Sequence, residues 1–310
     1  FFMLAGGAAP VYAQAARAEL TGRVTGGDGA ALPGAQVALR SLRTNDARVV
    51  VSGDNGFYTL PALPPGGYEV TVELAGFKRF VQDAVTLATG ERVRLDVTLA
   101  VGGLQETVNV TGEPSTLRSE SGSLGQVVPN AAIVGLPLNG RSFISLITLA
   151  PGVASPPGSA FPRINGGRPR VNEYLFDGVS VLQPEPGQVA FTPVVDAIDE
   201  FKVETNSPSA EFGRFNGGVI NLTTKSGTNA LNGSAFAFVR HESLNASNAF
   251  APAGGDKPVF RRQQFGGVMG GPIARDRTFF FADYQGTRQE IGRVRISTVP
   301  TLLQRQGIFT

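Results

Sequence analysis

The sequence predicts a mainly β fold that is divided into several domains. Forty Gly and 21 Pro among 310 residues favour a turn-rich chain over a helix bundle. Short segments of alternating apolar and polar residues recur between turn signals, as expected of half-buried strands. No run of about 18 apolar residues follows the first 15 positions, so a membrane-spanning helix is not expected. Any insertion into a membrane would therefore be by a β-barrel.

Residues 1–15 are predicted to be part of a signal peptide. They are apolar and then small, and they end in Ala13-Gln14-Ala15, which is typical of a cleavage site. The charged start of a signal peptide is missing, so only part of a signal peptide is predicted. The alternative is a buried N-terminal strand.

Residues 16–100 are predicted to form a small β-sandwich. Turn signals containing Gly and Pro separate five predicted strands: Leu20–Val24, Ala35–Leu39, Gly56–Leu60, Tyr68–Leu74 and Val93–Leu99.

The motifs of this segment also resemble those of a known family. They are, in order, Gly22-Arg23-Val24, Leu32-Pro33-Gly34, Asp54-Asn55-Gly56, Leu63-Pro64-Pro65-Gly66-Gly67-Tyr68 and Gly76-Phe77. In this order and spacing they resemble the carboxypeptidase regulatory-like (transthyretin-like) domain. The resemblance implies an accessory sandwich without catalytic residues.

Residues 101–125 are predicted to be a linker that carries one short extended segment. This segment follows the flexible pair Gly102-Gly103 and consists of Glu106, Thr107, Val108, Asn109 and Val110. An extended segment between linkers suits β-augmentation, in which main-chain hydrogen bonds attach it to the sheet edge of another protein. It resembles a TonB box, which implies TonB as a partner. The alternative is an ordinary edge strand of the neighbouring domain.

Residues 126–229 are predicted to form a mixed α+β domain. One apolar stripe predicts a short helix that ends before Pro151-Gly152, because its members recur at i, i+3, i+4 and i+7: Phe143, Leu146, Ile147 and Ala150. Strands are predicted at Tyr174–Phe176, Ile198–Asn206 and Val219–Thr224. In the second of these, Phe201 and Val203 face away from Lys202 and Glu204. The order of these motifs resembles the plug domain of Oar-like TonB-dependent receptors.

Residues 230–310 are predicted to begin an antiparallel transmembrane β-barrel. Strands are predicted at Gly233–Arg240, Gln263–Gly271 and Thr278–Tyr284, with aromatic residues spaced two apart as in lipid-facing rows. The alternative is a soluble sheet. Each spanning strand needs about 9–11 residues, so roughly 80 residues hold three or four strands and cannot close a barrel. We therefore expect an incomplete barrel and an N-terminal fragment.

Composition argues against catalysis and against several kinds of partner. The chain has no Cys and one His, which leaves neither a thiol site nor a His-rich metal site. His241 lies among polar loop residues, and Asp54-Asn55-Gly56 lacks the further carboxylates that calcium requires. Lys and Arg exceed Asp and Glu by two, 27 against 25, so nucleic-acid binding is not indicated. We expect no enzyme activity, no cofactor and no bound metal.

Five arginines are concentrated in the plug segment: Arg141, Arg163, Arg168, Arg170 and Arg214. Two roles compete for them. They could pair with acidic residues of the barrel wall and hold the plug in the lumen, or they could contact an anionic ligand from outside. Pairing with the wall is favoured because a polar lumen needs paired charges whatever the cargo.

Together, these resemblances imply a TonB-dependent receptor of the bacterial outer membrane, with its N-terminal domain in the periplasm. They imply energy-coupled uptake of an unidentified ligand, which could be an oligosaccharide, a peptide or a chelated metal. The implied partners are TonB, outer-membrane lipid and that ligand. The alternative function is surface adhesion or matrix binding without active transport.

Overall fold

The computed structural model describes residues 17–103, 107–110, 122–136, 138, 140–156, 159, 161–183, 185, 187–212, 215–246, 257–292 and 298–308. The predicted signal peptide lies outside the described residues, as does most of the linker that follows the TonB-box-like segment. Two compact units are distinguished. One comprises residues up to Gly233 together with Met269–Ala282, and the other comprises Ser234–Val268 and Asp283–Thr310.

The N-terminal part of the first unit is a two-sheet sandwich. Its strands are β1 Ala18–Gly26, β2 Gln36–Ser41, β3 Ala47–Val51, β4 Phe57–Leu63, β5 Gly66–Glu73, β6 Arg79–Leu87, β7 Arg92–Arg94, β8 Val97–Leu99 and β9 Thr107–Val110. One sheet has the order β4-β1-β7, with β8 also paired to β1. The other has the order β3-β2-β5-β6-β9.

Alternating burial along the strands builds the core of the sandwich. Every second residue of β1 is buried, beginning with Ala18, and β2 buries Val37 and Leu39 in the same way. Apolar side chains from both sheets complete a single cluster that includes Leu60, Val70 and Leu87. This period-two burial is what the sequence pattern predicts.

The predicted strand Val93–Leu99 is interrupted, and its two halves are β7 and β8. At the break, the carboxylate of Asp96 accepts a hydrogen bond of 2.9 Å from the backbone N–H of Arg23. The Tyr58 hydroxyl donates to the carbonyl of Leu95 over 2.6 Å. A Cβ on Gly22 would lie 1.9 Å from that same carbonyl oxygen, so the close approach of the two chains requires glycine here.

The plug segment contains a second core around a five-stranded sheet. Its sheet has the order β10-β17-β18-β13-β14, and the remaining strands form two short hairpins, β11-β12 and β15-β16. The elements are β10 Leu124–Pro129, α1 Asn130–Gly135, β11 Val153–Ala154, β12 Arg163–Ile164, β13 Glu173–Phe176, β14 Val179–Ser180, β15 Leu182–Gln183, β16 Gln188–Val189, β17 Ile198–Asn206 and β18 Val219–Thr224, with 3₁₀ helices at Phe143–Leu149, Val195–Ala197 and Ala210–Phe212.

The predicted short helix is present as the 3₁₀ helix Phe143–Leu149. All four residues of its predicted stripe are buried, and the Phe143 ring meets the rings of Phe176 and Phe201 edge-on at 5.9 and 6.1 Å. Such aromatic contacts favour one packing arrangement of the core. The sequence did not predict α1.

Three long strands follow the plug segment: β19 Asn232–Arg240, β20 Phe260–Ala274 and β21 Thr278–Ile291. They form one sheet in that order. The sheet is open among the described residues, as predicted for an incomplete barrel. The second unit also contains a 3₁₀ helix, Glu242–Leu244, and the short helix α2 Leu302–Arg305. The mainly β fold class is confirmed.

Truncating the buried Leu39 side chain should destabilise the sandwich strongly. Leu39→Ala removes apolar atoms from a site that is 1% exposed, which costs about 2–5 kcal/mol of unfolding free energy. Leu42→Ala is the matched control, because Leu42 is 51% exposed and its loss should cost below about 1 kcal/mol. Urea unfolding followed by circular dichroism measures both. Equal costs for the two variants would contradict the assignment of the core.

Candidate functional site

The TonB-box-like segment is an edge strand of the sandwich. β9 pairs in parallel with β6, so that Arg79 lies opposite Thr107 and Gln82 opposite Val110. β9 is the last strand in the order of its sheet, and Val108 is 42% exposed. Glu106 lies outside the described residues.

This placement is compatible with both interpretations that the sequence left open, a TonB box and an ordinary edge strand. β9 is an edge strand of the neighbouring domain, and within the described part of the chain its second side has no strand partner. A strand with one unpaired side is a template for β-augmentation. The role of the segment in coupling stays a prediction.

The plug sheet has one apolar face and one polar face. Phe201 and Val203 of β17 and Ile220 and Leu222 of β18 belong to the plug core. The alternate residues form what we call the polar face: Glu200, Lys202, Glu204, Asn221 and Thr223. Cross-strand pairing sets Glu200 opposite Thr223 and Lys202 opposite Asn221.

A turn of the sandwich covers this polar face. We call Ala88–Glu91, between β6 and β7, the docking turn. Both the backbone N–H and the hydroxyl of Thr89 donate to one carboxylate oxygen of Glu200. The hydroxyls of Thr89 and Thr223 lie 2.8 Å apart, and the Lys202 ammonium donates to the carbonyl of Gly90 over 3.0 Å. Thr89 is completely buried.

Gly90 gives the docking turn its shape. Its φ of +62° lies in the left-handed region, which side chains other than glycine adopt with strain. A Cβ at this position would also lie 3.7 Å from the Asn221 amide nitrogen. The backbone of the turn therefore rests directly on the polar face.

A second sandwich turn, between β2 and β3, contacts residues of the plug segment and of the turn between β20 and β21. The Arg43 guanidinium forms an ion pair of 2.9 Å with Asp199, the residue next to Glu200. The backbone N–H of Asn229 donates to the Arg43 carbonyl over 3.0 Å. The Asn45 amide donates to Asp276 over 2.8 Å. Two separate turns thus hold the sandwich against the plug sheet.

Burial dominates the electrostatics of Glu200. Loss of solvent raises the pKa of its carboxyl group above the ordinary value, and the hydrogen bonds from Thr89 oppose that shift. The negative charges of Asp199 and Glu91 raise the pKa further. A hydrogen bond to a charged group contributes about 1.5–3 kcal/mol, so the Thr89 contacts are among the stronger ones available to this interface.

The structure describes four of the five predicted arginines, and their surroundings differ. Arg141 is nearly buried and forms an ion pair with Asp196 inside the plug segment. Arg163 and Arg168 are exposed, and Arg170 stacks over the Phe161 ring at 4.4 Å. Arg214 lies outside the described residues.

The sequence analysis missed Thr89 and Glu200. The available signal was the alternation in β17, where charged residues on the face opposite the core indicate a surface that water or a polar partner must cover.

The described residues contain no group of three or more His, Cys, Asp or Glu that could hold a metal ion. His241 is partly exposed, and its Nδ1 lies 2.9 Å from the Ser243 hydroxyl and 3.6 Å from a Glu242 carboxylate oxygen. Where the chain is described, every helix is too short or too polar to cross a bilayer.

Docking of the turn should depend on pH through Glu200. Because burial raises the pKa of this carboxyl group, its contribution to stability is fully present below the unfolded value of 4.5 and is lost as pH rises through the folded value. Urea unfolding at several pH values should therefore show a fall in stability above pH 4.5 that Glu200→Gln reduces. Identical pH profiles for the native chain and the variant would contradict the partly buried position of Glu200.

Two domain families match this chain. Residues 19–100 match the carboxypeptidase regulatory-like domain, and residues 223–310 match an outer membrane beta barrel domain. The second match indicates the bacterial outer membrane as the location of the chain.

Individual proteins are also similar to this chain. The TonB-dependent transporter Oar of Myxococcus xanthus is 31% identical over 300 residues, which cover 90% of this chain and 28% of Oar. The siderophore receptor PirA of Acinetobacter baumannii is 19% identical over 55% of this chain and 25% of its own, with a TM-score of 0.41. Catechol 1,2-dioxygenase of Acinetobacter sp. ADP1 is 14% identical over 35% of this chain and 60% of its own, with a TM-score of 0.24. Neither TM-score is high enough to support a conclusion.

The chain spans 28% of the length of its curated relative. Similarity to that relative extends over nearly all of the chain and includes the segment between the two matched domains. The chain is therefore similar over nearly all of its length to a TonB-dependent transporter, and its match to a carboxypeptidase regulatory-like domain precedes its match to an outer membrane beta barrel domain.

Proposed function

We propose that this chain takes part in TonB-dependent transport across the bacterial outer membrane. A ligand binds from outside, the plug rearranges, and the sandwich on the periplasmic side presents a coupling strand to TonB. Similarity to a TonB-dependent transporter over 90% of the chain supports this type of transport. The cargo is an oligosaccharide, a peptide or a chelated metal, and the protein acts as a transporter and not as an enzyme.

One observation carries the proposed coupling step. β9 contains four of the five residues that resemble a TonB box, and it lies at the edge of a five-stranded sheet. Its pairing with β6 holds it extended, so little conformational entropy remains to be lost when TonB adds a strand. Backbone pairing would supply the affinity, with Thr107, Val108, Asn109 and Val110 as the paired residues.

The exposed arginines of the plug segment have a separate proposed role. Arg163 and Arg168 are available to pair with acidic residues of a barrel wall, because a polar lumen requires compensated charges. Arg141 is less suited to that role, since Asp196 already compensates it.

Proline in the coupling strand should prevent TonB binding. Val108→Pro removes a backbone donor and interrupts strand pairing, so affinity should fall about tenfold or more, equivalent to about 1.4 kcal/mol. The measurement is biolayer interferometry of the detergent-solubilised chain against the purified carboxy-terminal domain of TonB.

Val49→Pro provides the matched control. Val49 lies on β3, the opposite edge strand of the same sheet, and its exposure of 51% is close to the 42% of Val108. It should leave TonB binding unchanged, and circular dichroism should show both variants folded. Unchanged affinity in Val108→Pro would leave β9 as a structural edge strand only.

A further inference from the structure

We propose that strand β6 and the docking turn transmit the pull of TonB from the coupling strand to the plug sheet. The polar face is then a docking surface that the turn leaves when TonB pulls. This inference rests on the proposed function, because it assigns a mechanical route to the coupling step.

Strand β6 connects the two contacts directly. Its first residues, Arg79–Gln82, pair with all four residues of β9. Its last residue, Leu87, leads into the docking turn, where Thr89 and Gly90 contact Glu200 and Lys202. Seven residue steps separate Gln82 from Thr89, which span at most about 23–25 Å of chain. Displacing β9 therefore loads a strand that leads directly to the polar face.

The covalent route to the plug is longer. Fourteen residue steps separate Val110 from Leu124, the first residue of β10, and they can extend to roughly 46–50 Å. The route through β6 is about half as long, and the pairing between β9 and β6 that begins it is already formed. The docking turn is therefore the shorter connection between the coupling strand and the plug sheet.

The chemistry of the interface suits separation. The polar face carries charged and amide groups that water can solvate once the turn leaves, whereas the opposite face of the same sheet is the apolar plug core. Within the described residues, Glu204 Oε2 and Asn221 Oδ1 are buried without a hydrogen-bond partner while the turn is docked. Asn221 lies under Gly90, so undocking would hydrate its amide group and offset part of the cost of breaking the contacts.

The two threonine hydroxyls provide a test, since the native chain contains no Cys. Thr89 and Thr223 present hydroxyls 2.8 Å apart, so a Thr89→Cys/Thr223→Cys variant places two thiols within reach of oxidation across the interface. The control variant is Thr25→Cys/Thr98→Cys, whose hydroxyls lie 3.3 Å apart inside the sandwich. Both variants are made in the protein as it is expressed in its native cells, and the disulfide yield after brief oxidation is measured in energised cells and in protonophore-treated cells.

The expected result is a high yield across the interface in protonophore-treated cells and a yield at least about threefold lower in energised cells. The control yield should be equal in both conditions. Adding Val108→Pro to the interface variant should restore the high yield in energised cells.

Two results would overturn the inference. A low interface yield in both conditions would mean that the turn is not docked in the cell. A high yield in both conditions, with binding of the TonB domain to β9 intact, would mean that the pull bypasses the turn. If the native chain did not bind the TonB domain, the proposed function would be contradicted instead. A high disulfide yield across the interface would then still show that the turn docks on the polar face and is not released.

Discussion

The burial of charged residues on the polar face is the constraint on which the arrangement of sandwich and plug sheet depends. An ion transferred into a protein interior costs several kcal/mol unless it is paired and hydrogen-bonded. Lys202 meets this requirement with Glu204 at 2.8 Å and with the Gly90 carbonyl at 3.0 Å. Glu200 meets it with both donors of Thr89. Three of these four contacts come from the sandwich, so the plug sheet and the sandwich stabilise each other.

The fold could be predicted from the sequence wherever period-two alternation is unbroken. β1 and β2 follow the pattern, and the apolar stripe of Phe143–Leu149 identified its helix. β6 was missed because its alternation changes phase. Its pairing with β5 shifts register between Tyr68 and Val70, and Ala84 adopts a φ of +58°, so burial moves from Gln82 to Val85 and Leu87.

The candidate site was only half predictable for a different reason. The TonB-box-like segment is local, so five consecutive residues were enough to mark it as a candidate. Thr89 and Glu200 are 111 residues apart and are ordinary polar residues when considered separately. Only the folded chain brings them together, and no local pattern carries that information. The TonB-box-like segment and the polar face are connected by one strand, β6, which pairs with β9 at one end and leads into the docking turn at the other.

The most direct measurement of the central contact is amide hydrogen exchange at Thr89 in the intact chain. Docking on Glu200 predicts a protected Thr89 amide, and Glu200→Ala should accelerate its exchange by about a hundredfold, toward the rate of an exposed turn. Glu69→Ala should leave that rate unchanged, because Glu69 pairs with Arg40 on a different part of the sandwich. Rapid exchange of Thr89 in the native chain would contradict the docked arrangement.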